Sequence, residues 1–169
     1  MIYTILDAHE YFVFACNMPL GSMDMLECEM AGYTSSHKAI KAGIEASSYC
    51  KVGYNDKTNN VDFVFGVTAD PSDPATGIPW LLRRDGFKIT KSWLKQCRDS
   101  IFPEMESTYP ILKNYVHKKN KQSIRWLRWL GFSFYDVEVT FPNGPDDIAP
   151  VYLFVKLGGY PICAPQQQQ

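Results

Sequence analysis

The sequence has no long apolar run, no closely paired cysteines and no excess of charge of either sign. No uncharged apolar stretch approaches the roughly 18 residues that a membrane-spanning helix needs. The N-terminus also lacks a basic segment followed by an apolar run and a cleavage site, which is the pattern of a signal peptide. We therefore expect a soluble chain that is not exported by a standard signal.

The cysteines and the charge balance exclude further classes of protein and partner. Five cysteines are an odd number without close pairing, which argues against a disulfide framework or a Cys-x-x-Cys metal knuckle and fits a reducing cytoplasm. The 17 basic and 18 acidic residues nearly cancel, so no global field draws the protein to nucleic acid or an anionic membrane. The cysteines are Cys16, Cys28, Cys50, Cys97 and Cys163.

Length and hydrophobic periodicity predict a single mixed α/β domain. A chain of 169 residues normally forms one domain with a full-sized core. Residues 1–6 predict a strand. Three helices are expected next. The first is capped by Asp7, in a capping box with Glu10, and is expected to reach residue 17; Ser22 and Ser35 are the candidate caps of the second and third.

The rest of the chain alternates strands with helices. Residues 50–54 and 61–67 predict a hairpin, a loop rich in Pro, Asp and Gly covers 69–77, and 78–82 predict a short strand. Thr90 begins a helix that Pro103 is expected to end. The remaining predicted elements are a helix from Asn120 and strands over 111–117, 132–141 and 151–157.

The segment from Asn120 to Phe132 reads as a complete helix that leads directly into a strand. Asn120 can accept hydrogen bonds from the free amides of the first turn, and Gly131 suits the left-handed position that ends a helix. The spacing of Asn120, Ser123, Trp126, Gly131 and Phe132 resembles the last conserved segment of the GNAT superfamily of N-acetyltransferases, with Leu127 where that segment has a tyrosine.

The resemblance to GNAT proteins implies an α+β fold. Its centre is a mixed β-sheet of about seven strands, splayed between the fourth and fifth strands and flanked by helices. The predicted order of elements agrees with this fold over nearly the whole chain. We expect residues 1–158 to form one GNAT-like domain and residues 159–169 to form a polar, poorly ordered C-terminal tail.

The same resemblance implies where acetyl-CoA would bind. GNAT proteins hold its pyrophosphate on an Arg/Gln-x-x-Gly-x-Gly/Ala turn, whose backbone amides meet the anion at a helix N-terminus. Arg83 and Gly86 match this turn, whereas Lys88 replaces the final small residue and either obstructs or neutralises a phosphate. The alternative is an ordinary strand-to-helix turn. The implied cofactor-binding residues are Leu82, Arg83, Arg84, Gly86, Lys88 and Asn120.

Catalytic candidates follow from the same comparison. The tyrosine that protonates the departing thiolate in GNAT enzymes is replaced by Leu127, which has no proton to donate, and this leaves a degenerate site with catalysis open. Substitute hydroxyls are Ser123 and Tyr135, and candidate bases are Glu27, Glu29 and His117. Each also has a purely structural reading, as a helix residue, a strand aromatic, a solvated carboxylate or a strand-end histidine.

The predicted helix after Asn120 also carries a basic stripe. Lys118, Lys121, Arg125 and Arg128 are spaced three, four and three residues apart, so they share one side of the helix. Such a stripe contacts phosphates of nucleic acid or the 3′-phosphate of CoA in some proteins. The near-neutral total charge favours a solvated face instead, so we do not expect nucleic acid as a partner.

A second resemblance rests on residues 65–67, 77–82, 114–116, 125–127 and 129–132 together with Glu29, Gly32, Ser35 and Asn120. These segments resemble a small family of tailed-phage proteins. It is a GNAT-like family of internal virion or morphogenesis proteins, and what it implies is a role in the virion or in host takeover, a phage or host protein as partner, and a location in the infected host cytoplasm or the virion. The alternative is an active N-acetyltransferase that modifies a host or phage protein.

Overall fold

Seven strands form one sheet in the order β1-β2-β3-β4-β5-β7-β6. The computed structural model describes residues 3–145 and 147–158, and the predicted tail and Cys163 lie outside these residues. All neighbouring strands are antiparallel except β4 and β5, which are parallel. The strands are β1 (Thr4–Asp7), β2 (Ser47–Asn55), β3 (Asn60–Asp70), β4 (Asp73–Arg83), β5 (Ile111–His117), β6 (Ser133–Asp136) and β7 (Val151–Leu157).

Helices cover both faces of the sheet. A π-helical turn, Cys97–Ile101, joins two of them into one continuous helical segment. No helix in the described part of the chain is long and apolar enough to cross a membrane. The helices are α1 (Phe12–Cys16), α2 (Ser22–Met30), α3 (Ser36–Ala46), α4 (Lys91–Gln96), α5 (Phe102–Thr108) and α6 (Lys121–Trp129).

Two apolar clusters lie on opposite faces of the sheet. Alternate side chains of β3 are divided between them, because successive residues of a strand point to opposite faces. Phe63 and Phe65 join the cluster under α4, α5 and α6, whereas Val64 joins the cluster under α1 and α3. The helices and the sheet therefore form the predicted mixed fold, with the β1–β4 half covered on both faces.

The predicted helix termini at Ser35, Thr90 and Gly131 are confirmed, whereas Ser22 is not a cap, because α2 has Gly21 at its N-cap and no side-chain hydrogen bond there. The Ser35 hydroxyl accepts from the N–H of Lys38 and begins α3, and the Thr90 hydroxyl accepts from the N–H of Trp93 and begins α4. Gly131 follows α6 with a φ of 98°, in the left-handed region that glycine adopts without strain.

The prediction of a loop over residues 69–77 is wrong. β3 and β4 instead continue through most of this range, and Ala69 pairs with Gly77 across the hairpin. The Pro and Asp residues serve a tight turn: Asp70 Oδ1 accepts from the N–H of Ser72 at 2.9 Å. Because Pro74 lies at the start of β4, its missing N–H is tolerated.

The expected end of a helix at Pro103 is also wrong. The helical segment runs on to Thr108, and Pro103 falls in the first turn of α5, directly after the π-helical turn. Proline has no N–H to donate to the preceding turn of this continuous segment, and the irregular hydrogen bonding of the π-helical turn directly before it accommodates that loss. The capping box of Asp7 and Glu10 is also wrong, because α1 begins at Phe12 after Tyr11. Asp7 Oδ1 instead accepts from the N–H of His9 at 2.8 Å, in a turn that separates β1 from α1.

Candidate functional site

The parallel strands β4 and β5 separate soon after they meet. Backbone pairing covers two residue pairs, and the last of them is Gly77 with Leu112. Pro79 follows, and a proline has no N–H to donate to a neighbouring strand. Its carbonyl oxygen accepts instead from Asn114 Nδ2 at 2.8 Å. The sheet is therefore splayed between its fourth and fifth strands, as the resemblance to GNAT proteins predicted.

A cavity of about 350 Å³ passes through this splay. On one face of the sheet its walls include Cys28 of α2 and Gly43 of α3, and on the other they include Trp93 of α4 and Trp126 of α6. Most of the lining is apolar. Its size and its character are those of a small-molecule pocket, which typically combines apolar walls with a few placed polar groups.

Glu27 of α2 is a half-buried carboxylate at the wall of this cavity. Asn120 Nδ2 donates to Glu27 Oε1 at 2.6 Å, and the backbone N–H of His117 donates to the same carboxylate. Burial raises the pKa of Glu27 to about 7; the charge of Asp24 adds to this effect, while the two hydrogen bonds and Arg83 oppose it. A carboxylate with this pKa can take up and return a proton near neutral pH.

Asn120 links Glu27 to the start of α6. Its Oδ1 accepts from the N–H of Ser123 at 3.2 Å, which confirms the predicted cap, while its Nδ2 holds Glu27. Ser123 is buried and lines the cavity. The structure thus brings together three of the predicted site residues, Glu27, Asn120 and Ser123, around one wall of the cavity.

The other catalytic candidates lie elsewhere. His117 is buried, and its Nδ1 accepts from the N–H of Lys119 at 3.1 Å, so the ring stabilises a turn. Burial, with a smaller effect of Lys119, lowers the pKa of His117. Glu29 is exposed on α2, and Tyr135 is 53% exposed on β6. None of these three side chains lines the cavity.

Arg83 is held by an acid that the sequence analysis did not single out. Asp24 accepts from Arg83 through both carboxylate oxygens, at 2.6 Å from Nη2 and 3.1 Å from Nε, and also accepts from the Arg83 backbone N–H at 2.8 Å. Both side chains are buried at the cavity wall. Arg83 therefore joins β4 to α2 and is already neutralised, which argues against a direct contact with a phosphate.

The turn after β4 is open at its glycine. The guanidinium of Arg84 lies 3.2 Å from Asp62 Oδ1, so this arginine is also paired. Gly86 has a φ of 80°, and a Cβ placed there would meet no atom within 4 Å. Lys88 is exposed without an ion pair among the described residues, and Phe87 packs against aromatic rings of the core. Neither Lys88 nor Phe87 lines the cavity, so neither fills the splay.

Two leucines from the prediction form part of the apolar wall. Leu82 of β4 lines the cavity, as does the buried Leu127 of α6. Sequence reasoning missed Asp24 and Trp93, whose roles depend on contacts between distant parts of the chain. One signal was available for Asp24, since a single acid in the first turn of a helix is a common binding partner of N–H groups and cations.

The basic stripe is a solvated surface. Lys121, Arg125 and Arg128 are exposed on α6. The prediction that Lys118 shares the helix is wrong, because this residue lies in the turn before α6, where its Nζ is 2.8 Å from Asp136 in an ion pair. The guanidinium of Arg128 lies over the ring of Phe134. This arrangement is that of an ordinary amphipathic helix.

Comparison with known proteins gives structural matches. No family model matches the chain, and no curated protein sequence matches it. A ribosomal-protein-S5-alanine acetyltransferase from Vibrio fischeri superimposes with a TM-score of 0.63 at 10% identity, over 93% of this chain and 92% of that one. A GCN5-related N-acetyltransferase from Kribbella flavida gives a TM-score of 0.63 at 12% identity, over 92% of this chain and 97% of that one.

A third match is a Salmonella typhimurium protein solved with its cofactor acetyl-CoA. It superimposes with a TM-score of 0.62 at 14% identity, over 99% of this chain and 100% of that one. Likeness at such low identity establishes architecture and leaves the chemistry to the site itself. With its splayed sheet and flanking helices, the chain has the fold of the GNAT N-acetyltransferases.

Proposed function

We propose that the protein is an acetyl-CoA-dependent N-acetyltransferase in which Glu27 is the general base. The observation that carries the proposal is the half-buried Glu27 carboxylate, whose pKa is raised to about 7 and which lies at the wall of a cavity through the splayed sheet. Acyl transfer to an amine needs a group that accepts the proton of the amine, and the Glu27 carboxylate lies beside the polar start of α6 and an apolar channel.

The residues around the splay fit acetyl-CoA. Pro79 directs its carbonyl toward β5, and alternate residues of a strand direct their backbone groups to the same edge, so the N–H and C=O of Leu81 face the gap as well. Gly86 leaves open space at the following turn, and Lys88 adds a cation there. Leu81, Leu82, Gly86 and Lys88 would therefore hold the cofactor, which supplies an acetyl group activated as a thioester.

Each polar residue of the wall then has a role. The Glu27 carboxylate removes a proton from an acceptor amine, and the N–H groups of Asn120 and His117 keep that carboxylate in place. As the acetyl group passes to the amine, the departing thiolate needs a proton, which Leu127 cannot donate. Ser123 lines the same cavity four residues before Leu127, and its hydroxyl can donate that proton.

The test is a titration of the purified protein with acetyl-CoA by calorimetry and thermal shift, followed by mass spectrometry of candidate acceptor peptides. We expect heat of binding, a raised unfolding temperature and an acetylated acceptor, with the Glu27→Gln variant binding the cofactor but transferring little. No heat and no thermal shift at millimolar acetyl-CoA would remove the proposal.

The alternative is a phage assembly or host-takeover protein that keeps this fold as a binding surface with a degenerate cofactor site. Two observations favour it, the apolar Leu127 in place of a phenol and the pairing of Arg83 and Arg84 with aspartates. The phage origin, the partners and the location in the infected host or virion stay predictions. Binding of a phage or host protein without acetyl-CoA binding would support this alternative.

A further inference from the structure

The part of the cavity on the α2–α3 face of the sheet is lined by large apolar side chains. Ile78 and Trp80 of β4 share this face, because alternate residues of a strand point the same way, and Trp80 packs against the cluster under α1 and α3. Tyr115 of β5 also points to this face, since its neighbour Val116 joins the opposite cluster. Together with Met30 of α2, these lining side chains are half-buried, so each keeps surface that a ligand can cover.

Phe141, from the segment between β6 and β7, completes this wall. Its ring meets that of Tyr115 edge to face, with the ring centroids 5.3 Å apart and the planes at 85°. The segment packs closely on the end of α2, because a Cβ at Gly144 would overlap the carbonyl oxygen of Met30. The N–H of Gly144 donates to the carbonyl oxygen of Phe141 at 3.1 Å. These backbone contacts fix Phe141 as part of the cavity wall.

The charges of the wall restrict what can lie beside these rings. Arg83 is the one cation that lines the cavity within residues 3–145 and 147–158, and it is paired with Asp24, which leaves Glu27 as the acid that faces a ligand. Glu29 lies in a shallow depression that adjoins the cavity at Tyr33, which contacts both. A protonated amine is attracted here, whereas a carboxylate or phosphate close to it would meet acids without a free cation.

We propose that the acceptor is a primary amine joined by a short, uncharged arm to an aromatic ring, with the ring seated against Trp80, Tyr115 and Phe141. The inference rests on the proposed function, which places the reacting amine at Glu27. Aromatic rings attract one another beyond the area that they bury, whereas a charged substituent would lose its hydration against this wall.

The transfer of the acetyl group balances with the residues already described. The amine nitrogen bonds to the acetyl carbon while the bond from that carbon to sulfur breaks. The proton of the amine passes to Glu27, and the departing sulfur takes a proton from Ser123.

The first test compares acceptors of the original protein at saturating acetyl-CoA. The aromatic probes are phenethylamine and a peptide amide that begins with phenylalanine, and the polar probes are ethanolamine, putrescine and free phenylalanine, which keeps its carboxylate. We expect kcat/KM to be about 10-fold or more higher for the aromatic probes, measured by release of the CoA thiol and by mass spectrometry of the product. Faster reaction of the peptide indicates a protein N-terminus as the source of the amine, and faster reaction of phenethylamine indicates a small molecule.

The second test removes one ring of the wall. In Phe141→Ala, KM for phenethylamine should rise about 5- to 20-fold, while KM for acetyl-CoA and the turnover of ethanolamine stay unchanged. Phe14→Ala is the matched control, because Phe14 is 58% exposed on α1 and does not line the cavity. Circular dichroism checks the folding of both variants, and the comparison of acceptors remains decisive where Phe141→Ala fails to fold.

The outcomes separate this inference from the proposed function. Equal kcat/KM for phenethylamine and ethanolamine would overturn the inference, as would an unchanged KM for phenethylamine in folded Phe141→Ala. Binding of acetyl-CoA without acetylation of either aromatic probe would overturn it as well, while the binding itself still supports the proposed function. Absence of acetyl-CoA binding by the original protein would overturn both.

Discussion

Replacing Glu27 by glutamine should strongly reduce acetyl transfer and, at neutral pH, stabilise the protein. The amide keeps the size of the side chain and an oxygen that can still accept from Asn120 and from the N–H of His117. It cannot carry the charge that burial disfavours. A residue retained for its chemistry at a cost in stability is expected to respond in this opposed way.

The magnitude follows from the pKa of Glu27. The ordinary value of 4.5 and the folded value of about 7 differ by about 2.5, which corresponds to about 3 kcal/mol, and partial exposure of the side chain reduces this to about 2 kcal/mol. Because the folded pKa is raised, the contribution of Glu27 to stability is complete below about pH 4.5 and is lost as the pH rises through about 7.

The assay is urea unfolding at a series of pH values between about 4 and 8, for the original protein, Glu27→Gln and the control Glu29→Gln, which changes an exposed carboxylate of the same helix. Glu27→Gln should gain about 2 kcal/mol relative to the original protein at the upper end and nothing at the lower end. Its turnover should fall by about 100-fold or more. Parallel stability curves for the original protein and Glu27→Gln would refute this reasoning.

Three further changes test the surroundings of Glu27. Asn120→Ala removes a helix cap and a hydrogen bond that lowers the pKa of Glu27, so the free energy of unfolding in urea should fall by about 1–2 kcal/mol and the midpoint of the pH–rate profile should rise; an unmoved midpoint contradicts this. Asp24→Asn leaves the buried Arg83 charge uncompensated and should lower the free energy of unfolding in urea by about 3–5 kcal/mol. The double variant Asp24→Leu with Arg83→Met should recover most of this loss. A loss below about 1 kcal/mol for Asp24→Asn argues against a stabilising role of the ion pair. Gly43→Ala places a Cβ 2.8 Å from the indole ring of Trp80 on β4 and should lower the free energy of unfolding by about 1–3 kcal/mol. An unchanged midpoint of thermal unfolding would contradict this close packing.

Local chemistry made much of the fold predictable. Ser35, Thr90 and Asn120 begin helices because each side chain accepts from a free amide of the first turn, and this depends on only a few neighbouring residues. Composition was a poorer guide around residues 69–77, where Pro and Asp serve a tight turn between long strands. The π-helical turn before Pro103 was also beyond reach, since it depends on the packing of the whole helical segment.

The site was predictable only in part, for the same physical reason. Asn120 was recognisable as a cap, but its second contact reaches Glu27, 93 residues earlier in the chain. Arg83 matches a phosphate-binding motif in sequence, but in the fold it is paired with Asp24, 59 residues away. Spacing along a chain reports the face of a helix or strand, whereas pairing between distant residues requires the fold.

Pro79 has a further consequence for what can occupy the splay. An extended polypeptide adding to a sheet needs donors and acceptors in regular alternation along the exposed edge. At this position the donor is missing, and the acceptor is already taken by Asn114. A foreign β-strand therefore lacks one donor and one acceptor at Pro79, which makes this interior edge a poor template for the edge-to-edge aggregation that unpaired strands invite.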